Sequence, residues 1–146
     1  MTAKKIASIS YLPDVRPTPR FNKILLIDDC STDLFINKTI LNSLLISKEV
    51  VEEMSAEDAL DFLKNVKKLS DFPDLILLDL NMPGMDGFEF LTEFNQLPEF
   101  FKSKCKIIVV TSSESKEDKH RVLMNPTVIR YVVKPLDAFH LQDFLA

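Results

Sequence analysis

The chain has little of what several protein classes require. Among 146 residues there are two cysteines, Cys30 and Cys105, with no CxxC spacing, so neither a disulfide framework nor a zinc site follows from them. There is no tryptophan, and the only glycines are Gly84 and Gly87, so no glycine-rich loop is available to cradle a nucleotide or flavin phosphate. No apolar run approaches the roughly eighteen residues that span a bilayer, and the amino terminus lacks the apolar stretch of a signal peptide. A cytoplasmic location without membrane contact is expected. Basic charge is also scarce. The net charge is −4, and residues 1–20 hold four basic residues (Lys4, Lys5, Arg16, Arg20) against Asp14 alone. Residues 21–146 therefore carry 14 basic and 21 acidic residues, a balance of −7. Such a surface does not suit nucleic acid, which calls for clustered Lys and Arg.

What remains is an ordinary globular composition, 46% hydrophobic and 27% charged, with a length that suits one domain. Residues 1–20 contain three of the eight prolines (Pro13, Pro17, Pro19) and no periodicity, and read as a flexible extension. From Phe21 the pattern becomes regular. Ile24 to Ile27, Leu75 to Leu78 and Ile107 to Val110 are short, continuous apolar runs, the mark of strands buried on both faces. Two further strands are expected near Val50 to Met54 and over Ile129 to Val133.

Helical spacing fills the intervals. Ser31, Thr32 and Asp33 are N-cap candidates for a helix carrying Leu34, Ile40, Leu41, Leu44 and Leu45. Ser55 precedes a helix with Ala59, Leu60, Leu63, Val66 and Leu69 on one face. Phe88, Leu91 and Phe94 begin a third, which should end before Pro98. A fourth should span Lys116 to Met124, and Leu136, Phe139, Phe144 and Leu145 mark a short fifth. Five strands alternating with five helices predict an α/β domain, a doubly wound five-stranded parallel sheet covered on both faces. Ligands of such sheets sit beyond the carboxyl ends of the strands. Asp28-Asp29, Asp79, Thr111 and Lys134 each stand directly after an apolar strand.

If the first, third and fourth strands are neighbours, three carboxylates converge beside one lysine. The excess negative charge invites a divalent cation, and the absence of His and Cys among the donors favours Mg²⁺ over zinc. A strand-end Asp in that setting is a plausible nucleophile toward phosphorus. Asp79 is the best candidate, because it ends the expected central strand. Each residue has a plainer reading as well: Asp28 and Asp29 as helix caps, Asp79 as a turn residue, Thr111 as strand-to-loop chemistry, Lys134 as a surface lysine, Tyr131 as a strand aromatic. Their joint placement argues against those readings. His120 and His140 read as helix-surface residues.

The segments Leu26-Ile27-Asp28-Asp29, Leu77-Leu78-Asp79-Leu80-Asn81-Met82-Pro83-Gly84-Met85-Asp86-Gly87, Val109-Val110-Thr111-Ser112-Ser113 and Tyr131-Val132-Val133-Lys134-Pro135 resemble the receiver domain of two-component response regulators, the CheY-like family. The resemblance covers residues 21–146. It implies a flavodoxin-like sheet of strand order 2-1-3-4-5, with Asp79 as phosphoacceptor. It also implies Mg²⁺ held by Asp28, Asp29, Asp79 and the Asn81 carbonyl, and Lys134 paired with the phosphoryl group or Asp79, ahead of a cis bond to Pro135. Thr111 and Tyr131 would carry the conformational signal to the surface formed by the helix after the fourth strand, the fifth strand and the last helix.

The implied role is a signalling phosphoacceptor rather than an enzyme with an external substrate. Its partners would be a histidine kinase or histidine phosphotransfer protein and a downstream protein target. Because the sequence ends soon after the last helix, a stand-alone regulator is expected. Asn81 and Ser113 occupy positions that tune phosphoryl lifetime in the family, and the connection around Lys67 to Phe72 is longer than in compact relatives. Three rivals are weaker. A phosphatase of the haloacid-dehalogenase type needs a second Asp where Asn81 stands. A flavin carrier would find its phosphate repelled by Asp28-Asp29. A phosphate-independent receiver-like adaptor would not need the whole residue set.

Overall fold

The computed structural model describes residues 18–145. The extension expected over residues 1–20 therefore lies, as far as residue 17, outside the described residues, and so do the side chains of His140, Phe144 and Leu145. Five strands, β1 (Phe21–Ile27), β2 (Ser47–Glu53), β3 (Leu75–Leu78), β4 (Lys106–Thr111) and β5 (Val128–Val133), form one parallel sheet in the order β2-β1-β3-β4-β5. The helices are α1 (Ser31–Leu44), α2 (Ala56–Lys64), α3 (Gly87–Phe94), α4 (Glu99–Lys102), α5 (Lys116–Leu123) and α6 (Ala138–Leu145). Among the described residues no helix is long and apolar enough to cross a membrane.

The period of two along each strand divides the core. Leu25, Ile27, Ile76, Leu78, Ile107 and Val109 point to one face, where Ala59, Leu60 and Leu63 of α2, Phe90 and Phe94 of α3 and Val122 of α5 cover them. Ile24, Leu26, Leu75, Leu77, Ile108 and Val110 point to the other, beneath Leu34 and Leu41 of α1 and Leu141 of α6. All four residues of β3 are buried, so the central strand has no polar position until the chain leaves the sheet at Leu78.

Two expectations about the helices are corrected. Among the described residues there are six α-helices rather than five, because α3 is followed by a single turn, α4, with Pro98 at its N-cap. Proline cannot continue the preceding helix, but its fixed φ (−56° here) suits the start of a new one. Phe101 in that turn stacks on Phe72, with ring centroids 5.3 Å apart, which anchors the turn to the core. The second helix stops at Lys64 instead of reaching Leu69. The Asn65 side chain takes the Asp61 carbonyl and Val66 N–H turns back to Leu63, closing the helix. Leu69 belongs to a separate 3-10 turn, Leu69–Asp71, inside the longer connection noted from the sequence. β2 also begins earlier than expected, at Ser47. Its register with β1 starts at Phe21↔Ser47, although an edge strand with Lys48 and Glu49 gives little apolar signal.

Because Phe90 is fully buried, Phe90→Ala should cost about 3–5 kcal/mol in urea denaturation. Phe35, 71% exposed on α1, should tolerate alanine within about 0.5 kcal/mol.

Candidate functional site

Strand order creates the site. From β1 the chain departs toward the β2 edge, and from β3 toward the β4 edge, so a crevice opens where the two connections separate. The register Ile27↔Leu78 sets the next residues, Asp28 and Asp79, side by side, and Asp79 N–H donates to the Ile27 carbonyl at 3.0 Å. Both are nearly buried, with 4% and 5% exposure, while Asp29 is exposed at the rim. One oxygen from each of Asp28, Asp29 and Asp79 can be chosen so that all three lie within 4.8 Å of one another. Asp28 Oδ1 accepts the Cys30 N–H at 2.9 Å, which fixes its carboxylate plane.

Lys134 enters from the end of β5. Its backbone N–H donates to the Thr111 carbonyl at 2.8 Å, and its bond to Pro135 is cis. The Nζ donates to Asp28 Oδ2 at 2.8 Å and to Asp33 Oδ2 at 2.7 Å, and lies 3.5 Å from Asp79 Oδ2. Asp33 is the residue that sequence reasoning misassigned. Cys30, not Ser31, Thr32 or Asp33, holds the N-cap of α1, with no side-chain cap. Asp33 faces the lysine instead.

The charges shape one another. Burial is the main cause that lifts the Asp79 carboxyl above its ordinary value; Lys134 opposes it and the Asp28 charge reinforces it. Burial pulls the Lys134 ammonium downward, but its hydrogen bonds to Asp28 and Asp33, with the charges of Asp28 and Asp79, outweigh that and raise it. The hydrogen bond from Lys134 holds Asp33 below the usual carboxylate range despite partial burial.

Thr111, fully buried at the end of β4, begins a chain of polar contacts leading away from the crevice. Its Oγ1 accepts from Ser113 N–H at 3.2 Å and from the Asn81 side-chain amide at 3.4 Å. Ser113 Oγ donates to Asp118 in the first turn of α5 at 2.7 Å, and the Tyr131 hydroxyl donates to the Ser113 carbonyl at 2.9 Å. Tyr131 is half-buried and packs against the core face that contains Val109. The sequence named Thr111 and Tyr131; their link through Ser113 emerges only in three dimensions.

The loop after Asp79 is held just as closely. Gly84 has φ +72°, a left-handed conformation that favours glycine, and Met85 N–H donates to Glu57 of α2. At Gly87 a Cβ would lie 2.7 Å from the Asp79 carbonyl oxygen and from Leu80 Cα. Only glycine lets α3 start so close to the strand end, where Asp86 and Glu89 form a capping box.

The donor set fits a hard divalent cation. Its members are carboxylate oxygens: Asp28, Asp33 and Asp79 lie within 3.5 Å of the one ammonium, and Asp29 adds a fourth carboxylate at the rim, so negative charge is in excess there.

A family model described as the response regulator receiver domain matches residues 24–146. The sensor histidine kinase CheAY of Helicobacter pylori is 35% identical over 118 residues, which is 81% of this chain but 14% of that protein. Response regulator Rcp1 of Synechocystis is 33% identical over 97 residues, 65% of each. The chain thus spans less than two thirds of both. Among solved structures, a two-component response regulator from Cytophaga hutchinsonii superposes with a TM-score of 0.79 at 29% identity, covering 86% of this chain and 95% of that one. The Mn²⁺-bound form of response regulator Rcp1 gives 0.68 at 28% identity, covering 85% and 88%.

The raised pKa of Asp79 has a direct consequence for stability. Between the unfolded carboxyl value of 3.8 and its higher folded value, the native state binds more protons, so Asp79 lowers stability as pH rises through that window. In metal-free buffer at pH 7, Asp79→Asn should be more stable than wild type by about 1 kcal/mol in urea denaturation. The difference should shrink as pH falls below 3.8.

Proposed function

The chain belongs to the response regulator receiver family, and from that premise we propose that Asp79 accepts a phosphoryl group from a phosphohistidine protein and that the resulting charge drives a conformational signal. The observation that carries this reading is the meeting of Asp79, Asp28 and Asp29 with the Lys134 ammonium at one strand-end crevice. Two-component signalling by a receiver domain is the family's role; the donor and the downstream protein partner are part of the proposal.

In the proposed step a carboxylate oxygen of Asp79 attacks phosphorus. The new O–P bond forms as the N–P bond of phosphohistidine breaks, and the imidazole leaves and takes a proton from water. Charge on the phosphoryl oxygens is met by the Lys134 ammonium. Thr111 contributes a hydroxyl whose lone pairs are engaged by Ser113 and Asn81, so its remaining capacity is its proton. Asp28, Asp29 and Asp79, with the Asn81 carbonyl, would hold Mg²⁺, which would add positive charge to neutralise those oxygens. Hydrolysis of the acyl phosphate by water returns the carboxylate and inorganic phosphate. The chain so acts on itself and turns over no external substrate.

The route outward follows the polar chain. Movement of Thr111 toward a phosphoryl oxygen pulls on Ser113, which holds both the Tyr131 hydroxyl and Asp118 of α5. The surface of α5, β5 and α6 then repacks. That surface already exposes Met124 and Val133, 72% and 41% accessible, which suits a protein target. A few kcal/mol of differential stabilisation is enough to shift such a two-state equilibrium.

With phosphoramidate or acetyl phosphate and Mg²⁺, intact-mass spectrometry should show one added phosphoryl group that is lost on hydrolysis. Asp79→Asn should abolish it and a chelator should suppress it. Gly87→Ala, which drives α3 away from the strand end, should slow labelling about tenfold and cost about 1–3 kcal/mol of stability. Undiminished labelling of Asp79→Asn would place the acceptor elsewhere, and absent labelling of wild type would favour a phosphate-independent adaptor.

A further inference from the structure

Asp33 takes no part in the steps above, yet it makes the shortest contact to the lysine that does. The Lys134 Nζ lies 2.7 Å from Asp33 Oδ2 and 2.8 Å from Asp28 Oδ2, but 3.5 Å from Asp79 Oδ2. Two of the three ammonium donors are therefore spent on carboxylates that are not the proposed nucleophile. Asp28 is itself nearly buried and among the candidate metal ligands, so its bond to Lys134 belongs to the acidic pocket. Asp33 is different. It stands in the first turn of α1, outside the three-carboxylate cluster, with its side chain 33% exposed.

We propose that Asp33 is a tether on Lys134, a positioning residue that holds the ammonium short of Asp79 in the unphosphorylated protein and that acyl phosphate formation must break. The proposal rests on Asp79 being the phosphoacceptor and goes beyond it, because it names a residue that opposes loading of the site. A phosphoryl group on Asp79 adds negative charge on the far side of Lys134 and draws the Nζ across the remaining distance. The charge-assisted bond to Asp33 is given up in exchange. Asp33 thus biases the switch toward its resting state, and its exposed flank lets solvent receive the released carboxylate.

The test compares wild type, Asp33→Asn and Asp33→Glu. Phosphoramidate labelling at saturating Mg²⁺, followed by intact mass, should run about fivefold faster in Asp33→Asn, the scale of one partly exposed ion pair no longer surrendered. Asp33→Glu, which keeps the charge within reach, should return toward the wild-type rate. A merely structural loss would slow labelling instead. In metal-free, unphosphorylated protein, the Lys134 side-chain ammonium should give a protected ¹H–¹⁵N signal in wild type and Asp33→Glu, broadened by exchange in Asp33→Asn. Labelling of Asp33→Asn at or below the wild-type rate, or an unchanged ammonium signal, overturns the proposal. Failure of wild type itself to take label shows that the phosphoacceptor reading has failed, and the tether falls with it.

Discussion

The structure turns on an imbalance of charge that the fold does not relieve. At the carboxyl ends of β1 and β3, carboxylates outnumber the ammonium of Lys134 four to one, and two of them are almost completely buried. Like charges so confined are costly unless a cation or a proton compensates. Burial, reinforced by the Asp28 charge, lifts the Asp79 carboxyl, and despite its own burial the Lys134 ammonium is raised by its hydrogen bonds to Asp28 and Asp33. Under the proposed function a divalent ion would bring the missing positive charge and a phosphoryl group would be bound through it.

The scaffold makes the imbalance tolerable. Two apolar faces, each covered by helices, hold β1 and β3 in a register that leaves their terminal aspartates no alternative place. The backbone bond from Asp79 N–H to Ile27 and that from Lys134 N–H to Thr111 tie the polar residues to strand positions rather than to free loops. Gly87 lets α3 begin against the strand end, and Glu57 of α2 braces the intervening loop. Hydrogen bonds through Ser113 join Thr111 to Tyr131, the connection that the proposed signal would use.

Much of this was legible in the sequence, for a specific reason. Continuous apolar runs are what strands covered on both faces require, and the first charged or hydroxyl residue after each run marks its carboxyl end. Asp28, Asp79, Thr111 and Lys134 could be found by that reasoning, as could the sheet itself. Other features could not. Asp33 carries the composition of a helix cap, and only the path of β5 shows that it meets Lys134 instead. The single turn α4 depends on Phe101 finding Phe72, a contact between distant segments. The early start of β2 depends on its pairing with β1, since its own residues are largely polar.

The acidic crevice of Asp28, Asp29 and Asp79 is proposed to be one divalent-cation site. The measurement closest to it is an Mg²⁺ titration of the ¹⁵N-labelled protein followed by NMR. A single saturable event should appear, with shifts concentrated at residues 28–33, 79–82, 111 and 134 and little change at the opposite end of the sheet. Shifts scattered over the surface without saturation, or none near Asp28 and Asp79, would contradict the account.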